Sequence, residues 1–211
     1  MNRTITTKQT AINHELLTMN QNSIPPIILA SKSPRRQELL KLMDLEFRIV
    51  LKEVDESYPD NLKPEEIAVY IAQKKAEAFD EVVGDEVVLT ADTIVSVDGH
   101  ILGKPETVEH AVEMLQMLSG KTHQVITGVC LLYKHKYQSF FDVSDVSFRH
   151  LSDEEIKSYV EKYKPMDKAG SYGIQEWVGL TGIEKINGSY TNVVGLPTEK
   201  LYRELKRLTK F

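Results

Sequence analysis

Apolar positions along the chain alternate between short β-branched runs and stretches with helical spacing. Ile27-Ile-Leu-Ala30 is an apolar run behind Pro25-Pro26 and predicts a buried strand. Ser33-Pro34 predicts a helix start, with Ser as N-cap and Pro in the first helical position. Leu39, Leu40 and Met43 give that helix one apolar face. Pro64 opens a second helix, with Ile67, Ala68, Ile71, Ala72, Ala78 and Phe79 on its inner side. Glu86-Val-Val-Leu-Thr-Ala91 reads as the next strand, with Asp92-Thr93 at its end, and Asp98-Gly99 as a hairpin turn inside Thr93–Leu102. Thr107 caps a helix carrying Ala111, Met114, Leu115 and Leu118. Gln124–Tyr133 and Gln138–Arg149 read as long strands around a polar Lys134-His-Lys136 turn. Ser152-Asp-Glu-Glu155 is a capping box for a helix ending near Tyr163. Lys168–Gly188 is rich in glycine and reads as mostly irregular, and Thr198 caps a last helix with Leu201, Leu205 and Leu208 inward. Strands alternate with helices and hairpins are mixed in, so the expected fold class is α/β around a mixed sheet rather than a purely parallel one.

Residues 1–22 break this pattern. They are polar, rich in Thr, Asn and Gln, and read as a disordered N-terminal extension, with the compact part starting near Ile24 and Met19 as a candidate natural start. The N-terminus lacks the basic, apolar, small-residue order of a secretory signal, and no apolar run approaches the roughly 18–20 residues that span a bilayer. The 211 residues suffice for one good-sized core or two closely joined lobes. One cysteine, Cys130, rules out an internal disulfide and a multi-cysteine zinc site and favours a reducing, cytoplasmic setting. The net charge of −5 disfavours extended nucleic acid as a partner. A small anion remains compatible, because a few local cations hold it against the overall field.

Candidate chemistry gathers in few places. The helix beginning at Pro34 offers unpaired N–H groups and the positive end of its dipole, and Ser31, Ser33, Arg35 and Arg36 stand at that end. Two guanidiniums there grip phosphate oxygens in bidentate fashion, although a solvated helix start has the same composition. Asp92 follows a buried strand, at the kind of strand end where α/β proteins collect ligands. A desolvated carboxylate needs a metal ion or a lysine, or else caps the next turn. Lys104 sits in a tight Gly/Pro loop, and either Lys74 or Lys75 continues the inner face of the second helix, a choice helical spacing does not make. Glu53-Val-Asp-Glu56 adds carboxylates of the kind that hold Mg²⁺ or Mn²⁺ near phosphates. Leu118-Ser-Gly-Lys-Thr122 imitates the end of a P-loop, but its first glycine position is Leu115 and it follows a helix. The six histidines show no ligand spacing, and Cys130 in mid-strand reads as a core residue.

Six segments in order resemble the Maf family of nucleotide pyrophosphatases, also called septum-formation-inhibitor-like proteins. They are Leu29-Ala-Ser-Lys-Ser-Pro-Arg-Arg-Gln-Glu-Leu-Leu40, Ala91-Asp-Thr93, Ile101-Leu-Gly-Lys-Pro105, Met117-Leu-Ser-Gly-Lys-Thr-His-Gln-Val-Ile-Thr-Gly128, Asp167-Lys-Ala-Gly-Ser-Tyr-Gly-Ile-Gln175 and Gly188-Ser-Tyr-Thr-Asn-Val-Val-Gly-Leu-Pro197. The resemblance spans about 27–208. It implies a two-lobed α/β fold over 23–211, an elongated mixed sheet flanked by helices with the active site in a cleft, commonly as a homodimer. It implies metal-dependent cleavage between the α- and β-phosphates of a nucleoside triphosphate, with Mg²⁺ or Mn²⁺ as cofactor. By position, Asp92 corresponds to the general base that activates water through the metal, and Glu56 to an acidic position near the metal. Ser31, Arg35, Arg36, Lys75 and Lys104 correspond to phosphate-binding positions.

Substrate choice in the family turns on three positions. The group acting on dTTP and UTP is similar to this chain in Arg35, Thr93 and Gln175, whereas the group acting on 7-methyl-GTP tends to carry a bulky aromatic in place of the first arginine. A glutamine amide pairs with the O and N–H edge of a pyrimidine. Many relatives have Gly after that glutamine; here Glu176-Trp177 follows, and Trp177 either stacks on a base or packs. The expected function is hydrolysis of dTTP and UTP to the monophosphate and pyrophosphate, with housekeeping removal of non-standard nucleotides as the cellular role. The competing expectation is a non-catalytic nucleotide-binding regulator of septation; a third is a phosphatase releasing orthophosphate.

Overall fold

A computed structural model of the chain describes residues 24–81 and 84–208. The extension expected at 1–22 lies outside the described residues. The strands are β1 (Ile27–Leu29), β2 (Phe47–Ile49), β3 (Val87–Val97), β4 (His100–Leu102), β5 (Thr122–Tyr133), β6 (Lys136–Phe148) and β7 (Ile183–Asn187). The helices are α1 (Pro34–Leu42), α2 (Pro64–Glu77), α3 (Val108–Leu118), α4 (Asp153–Tyr163), α5 (Trp177–Gly182), α6 (Tyr190–Val194) and α7 (Thr198–Leu208), with a 3₁₀ turn at Ala169–Ser171. The sheet runs β2-β1-β3-β5-β6-β7, with β4 beside β3. β1 pairs in parallel with β2 and β3, and the other pairings are antiparallel, so the expected mixed α/β fold is the one observed. No helix among the described residues is long and apolar enough to cross a membrane.

Local chemistry explains the elements that were foreseen. Asp98 and Gly99 both take left-handed backbone, as a two-residue hairpin requires, and so do Lys134 and His135 between β5 and β6. The Thr107 hydroxyl accepts from His110 N–H at the start of α3, and Ser152 and Glu155 form the reciprocal capping box of α4. Ser33 caps α1 only through its backbone; the hydroxyl that serves this turn is Ser31 Oγ, which accepts from Ser33 N–H at 3.3 Å.

Three expectations are corrected. β2 was not foreseen, because a three-residue, largely exposed edge strand carries no periodicity. The segment 168–188 is not mostly irregular: it forms α5 and then β7, which completes the sheet against β6. Asp92 does not end its strand. β3 continues for eleven residues to Val97, and what stops is its parallel neighbour β1, paired only from Val87 to Leu89. Asp92 therefore stands in mid-strand, beside the gap left where β1 turns away.

Alternation along β3 sorts side chains onto two faces. Val88 and Ile94 face α2, where the Thr90 hydroxyl donates to Ala72 O at 2.6 Å. Val87, Leu89 and Ala91 pack with Leu39, Leu40, Leu201 and Leu205 of α1 and α7 on the opposite face. Farther along that same face Val95 and Val97 pack with α3 and α4. Helices on this side thus fall into two groups, and Thr93 lies on β3 between them.

One core histidine carries a testable consequence. His123 is 1% exposed, its Nε2 lies 2.8 Å from Tyr172 Oη, and its ring packs edge-on against Phe148 and Tyr172. Burial pushes its pKa down from 6.5 to about 4. The unfolded chain takes up this proton as pH falls below 6.5 and the folded chain does not until about 4, so stability falls across that window as pH drops. The expected loss between neutral pH and pH 4 from this group is about 3 kcal/mol. Urea unfolding from pH 7 to 4 of the native chain and of the double variant His123→Phe, Tyr172→Phe measures it: the native curve steepens relative to the variant, and parallel curves would contradict the assignment.

Candidate active site

The cleft opens where β1 ends. Its walls are the loop 30–36, the segment 51–56, the α2 face carrying Lys75, mid-β3 and the loop holding Lys104, around a cavity of about 810 Å³. Ser31, Arg35, Arg36, Glu56, Lys75, Asp92 and Lys104, distant in sequence, all line it.

At its centre Lys75 Nζ lies 2.7 Å from Asp92 Oδ1 and 2.9 Å from Glu56 Oε1. Lys75 and Asp92 side chains are 17% and 14% exposed. Lys74, the alternative, turns outward to Asp55 at 3.0 Å and Ser57 O, so the tertiary structure makes the choice that helical spacing left open. Burial pushes the Glu56 carboxyl up, but Lys75, followed by Lys104 and Arg36, brings it net below the usual carboxylate range. Glu56 is thus held as an anion at neutral pH.

The two arginines divide their roles. Arg36 turns inward: Nε donates to Gly195 O at 2.8 Å, Nη1 to Ser31 Oγ at 3.1 Å and Nη2 to Thr93 Oγ1 at 3.0 Å. Burial lowers its pKa, partly offset by Asp92. Three of its five N–H groups are committed within the protein, which leaves two for a ligand and fixes the plane in which they lie. The Thr93 hydroxyl is 3.0 Å from Thr127 Oγ1, which donates to Asn192 O, so the Gly188–Pro197 segment buttresses Arg36 from behind. Arg35 faces outward and pairs with Asp167 at 3.2 Å across the cleft.

Sequence reasoning passed over Asp167 and Lys168 as site residues. Asp167 lines the main cavity, and Lys168 pairs with it at 2.7 Å and with Glu176 at 3.1 Å. The available signal was an adjacent acid and base at the start of a Gly-rich segment. Burial raises the Asp167 carboxyl, but Lys168 and Arg35 together leave it below its ordinary value. Thr93, with Arg35 and Lys168, lines a smaller adjoining cavity of about 40 Å³. Gln175 is exposed and lines neither cavity. Trp177 is half-buried and packs against the core around α3 and α4. Cys130 is buried in β5, and burial pushes its thiol up to about 11, which suits a core residue and not a nucleophile.

Among the described residues no three His, Cys, Asp or Glu side chains gather as a metal site. Glu56 and Asp92 nevertheless converge on one cationic point, Lys75 Nζ. Two carboxylate oxygens beside a phosphate site are the donor set that Mg²⁺ or Mn²⁺ takes when substrate oxygens complete the shell.

An α/β protein whose cleft sets Glu56 and Asp92 among Arg35, Arg36, Lys75 and Lys104, with both arginines at a helix start, is built to hold a polyphosphate and act on it. The chain belongs to the Maf family: the Maf-like protein family matches residues 26–208. A protein of Bacteroides fragilis named dTTP/UTP pyrophosphatase is 54% identical over 184 residues, 86% of this chain and 95% of that protein. Another with that name, from Flavobacterium psychrophilum, is 55% identical over 177 residues, 83% of this chain and 91% of its own length. Among solved structures, a HAM1 protein from Coxiella burnetii overlaps with a TM-score of 0.46 at 15% identity, covering 89% of this chain and 100% of that one.

Proposed function

We propose that this chain hydrolyses nucleoside triphosphates, preferentially dTTP and UTP, to the monophosphate and pyrophosphate. The observation that carries the reading is the convergence of Asp92 and Glu56 on Lys75 beside Arg36. A binding module needs chiefly the cations; a carboxylate positioned beside the phosphates gives Asp92 the place of a base, which binding alone does not require. The names of relatives about half identical over most of their length support the same reaction.

In this reading Asp92 takes the proton of the attacking water, which adds to the α-phosphorus as the α–β bridging bond breaks. Arg36, held in plane by Gly195 O, Ser31 and Thr93, meets the charge that builds on the phosphoryl oxygens. Lys104 lines the cavity exposed, with its ammonium available to the leaving pyrophosphate. Glu56 keeps Lys75 oriented towards Asp92. A divalent ion held by Glu56 and Asp92 would supply further neutralisation of phosphate charge. Arg35, Thr93 and Gln175 belong to the reading as specificity positions, Arg35 by its place at the cleft, Thr93 by its place at the adjoining small cavity and Gln175 by resemblance. The homodimer, the single two-lobed domain over 23–211 and the housekeeping role rest on the resemblance, and the cytoplasmic setting on the lone cysteine, Cys130.

A substrate panel with product identification tests the proposal. With Mg²⁺ or Mn²⁺, dTTP and UTP are expected to give pyrophosphate at kcat/KM at least about tenfold above dATP, GTP and 7-methyl-GTP, a difference of ~1.4 kcal/mol in barrier. Orthophosphate as the product, or a purine preference, would contradict it. Tight nucleotide binding with no product would favour the regulator.

A further inference from the structure

We propose that Lys168 reads the base, its ammonium donating to the 4-carbonyl oxygen of uracil or thymine and so separating these bases from cytosine. The inference rests on the pyrimidine triphosphate reading above and assigns the residue that enforces it.

Lys168 is 9% exposed, an uncommon place for a lysine. Two carboxylates hold it, Asp167 Oδ1 at 2.7 Å and Glu176 Oε1 at 3.1 Å. Glu176 is itself anchored, accepting from the Tyr159 hydroxyl, and that hydroxyl accepts from Gly173 N–H at 3.1 Å. An ammonium has three N–H donors and no acceptor. Asp167 takes one of them as a hydrogen bond and Glu176 Oε1 stands 3.1 Å away as an ion pair, which leaves the ammonium donor capacity for a ligand. A buried charge pair of this kind brings little net stability over apolar residues of similar volume, which points to a use for the remaining donor.

Lys168 lines the 40 Å³ cavity with Arg35, Thr93, Val95, Val125 and Ile174. Arg35 also lines the main cleft, so the small cavity adjoins the substrate site. Its volume admits about one water or the tip of a ring, not a whole base. In a pyrimidine nucleotide the atom farthest from the sugar is the substituent on C4, opposite the glycosidic N1; the 2-oxygen sits beside N1 and is crowded by ribose. A base entering from the phosphate site therefore leads with its C4 edge. In uracil and thymine that edge is a carbonyl, an acceptor for an ammonium N–H. In cytosine it is an amino group, so donor would face donor and both would lose their water. C5 lies next to C4 and meets the aliphatic wall of Val95, Val125 and Ile174, which tolerates hydrogen or methyl.

The test compares UTP and CTP on the native chain and on Lys168→Met, and adds on the native chain the triphosphate of 2-pyrimidinone riboside, which lacks the 4-oxygen and, like cytosine, carries no N3–H. The native chain is expected to favour UTP over CTP by about 10²-fold in kcat/KM. In Lys168→Met the UTP value falls by about 10²-fold, chiefly through KM, the CTP value stays within about threefold, and the ratio approaches one. On the native chain the 2-pyrimidinone analogue behaves like CTP. An equal fall for UTP and CTP would overturn the assignment, since Lys168 would then only brace Asp167 and Arg35. So would an analogue hydrolysed as fast as UTP, and that measurement holds even where Lys168→Met loses its cooperative melt. No pyrophosphate from UTP with the native chain would remove the proposed function and this assignment with it, a result distinct from a lost ratio.

Discussion

Asp92→Asn is expected to lower kcat by about 10²–10⁴-fold, the range that a positioned general base contributes. The substitution keeps size and shape and removes the charge and the basicity. Lys75 retains Glu56 at 2.9 Å, and an amide oxygen in place of Asp92 Oδ1 still accepts from Lys75 Nζ, so the cleft keeps its form. Arg36, Lys104 and the Ser31 loop are untouched. Nucleotide binding survives, with Kd for a non-hydrolysable dUTP analogue within about tenfold of native, a change of ~1.4 kcal/mol or less. Steady-state pyrophosphate release and titration calorimetry with Mg²⁺ check the two halves separately. Turnover within about threefold of native would take the base role from Asp92.

Gly128→Ala is expected to cost about 3 kcal/mol, the upper part of the usual range for overpacking. Gly128 stands opposite Asp92 in the β3–β5 register. A Cβ at Gly128 would collide with the backbone of Ala68 and Val69 in α2, so helix and sheet touch here without an intervening side chain. Backbone cannot swing aside as a flexible side chain does; the helix must move as a body. The melting temperature should fall by about 6–12 °C. Because α2 carries Lys75, a displacement of about 1 Å also misplaces Asp92's partner, and kcat of the folded fraction should fall by about 10²-fold. Thermal melts followed by circular dichroism and activity measured well below the melt test both. An unchanged melt would mean that α2 does not rest on Gly128.

Each mechanism works at a meeting of distant segments, and that bears on what was legible beforehand. The helix at Pro34, the turns at Asp98-Gly99 and Lys134-His135, and the caps at Thr107 and Ser152 are set by neighbours within four residues, and their local chemistry is readable as it stands. Six ordered motifs likewise sufficed for the family. β2 and β7 were not legible, because each is stabilised by pairing with a strand already in place and not by its own pattern.

The residue types of the site were determined by the amino-acid sequence alone: a serine and two arginines at a helix start, an aspartate after an apolar run, an isolated loop lysine. Their division of labour was decided only by the tertiary structure. Helical spacing left Lys74 and Lys75 open and only the resemblance favoured Lys75; physically the choice depends on how α2 is rotated on the sheet, which Gly128 and the Thr90–Ala72 bond set. That Arg36 points inward and Arg35 outward depends on Gly195 O and Asp167, each more than 130 residues away in the chain. Lys168 gains its place from Glu176 and Tyr159. Charge and hydrogen-bond capacity belong to a residue wherever it stands; which partner satisfies them is a property of the packed chain, because burial removes the water that would otherwise serve.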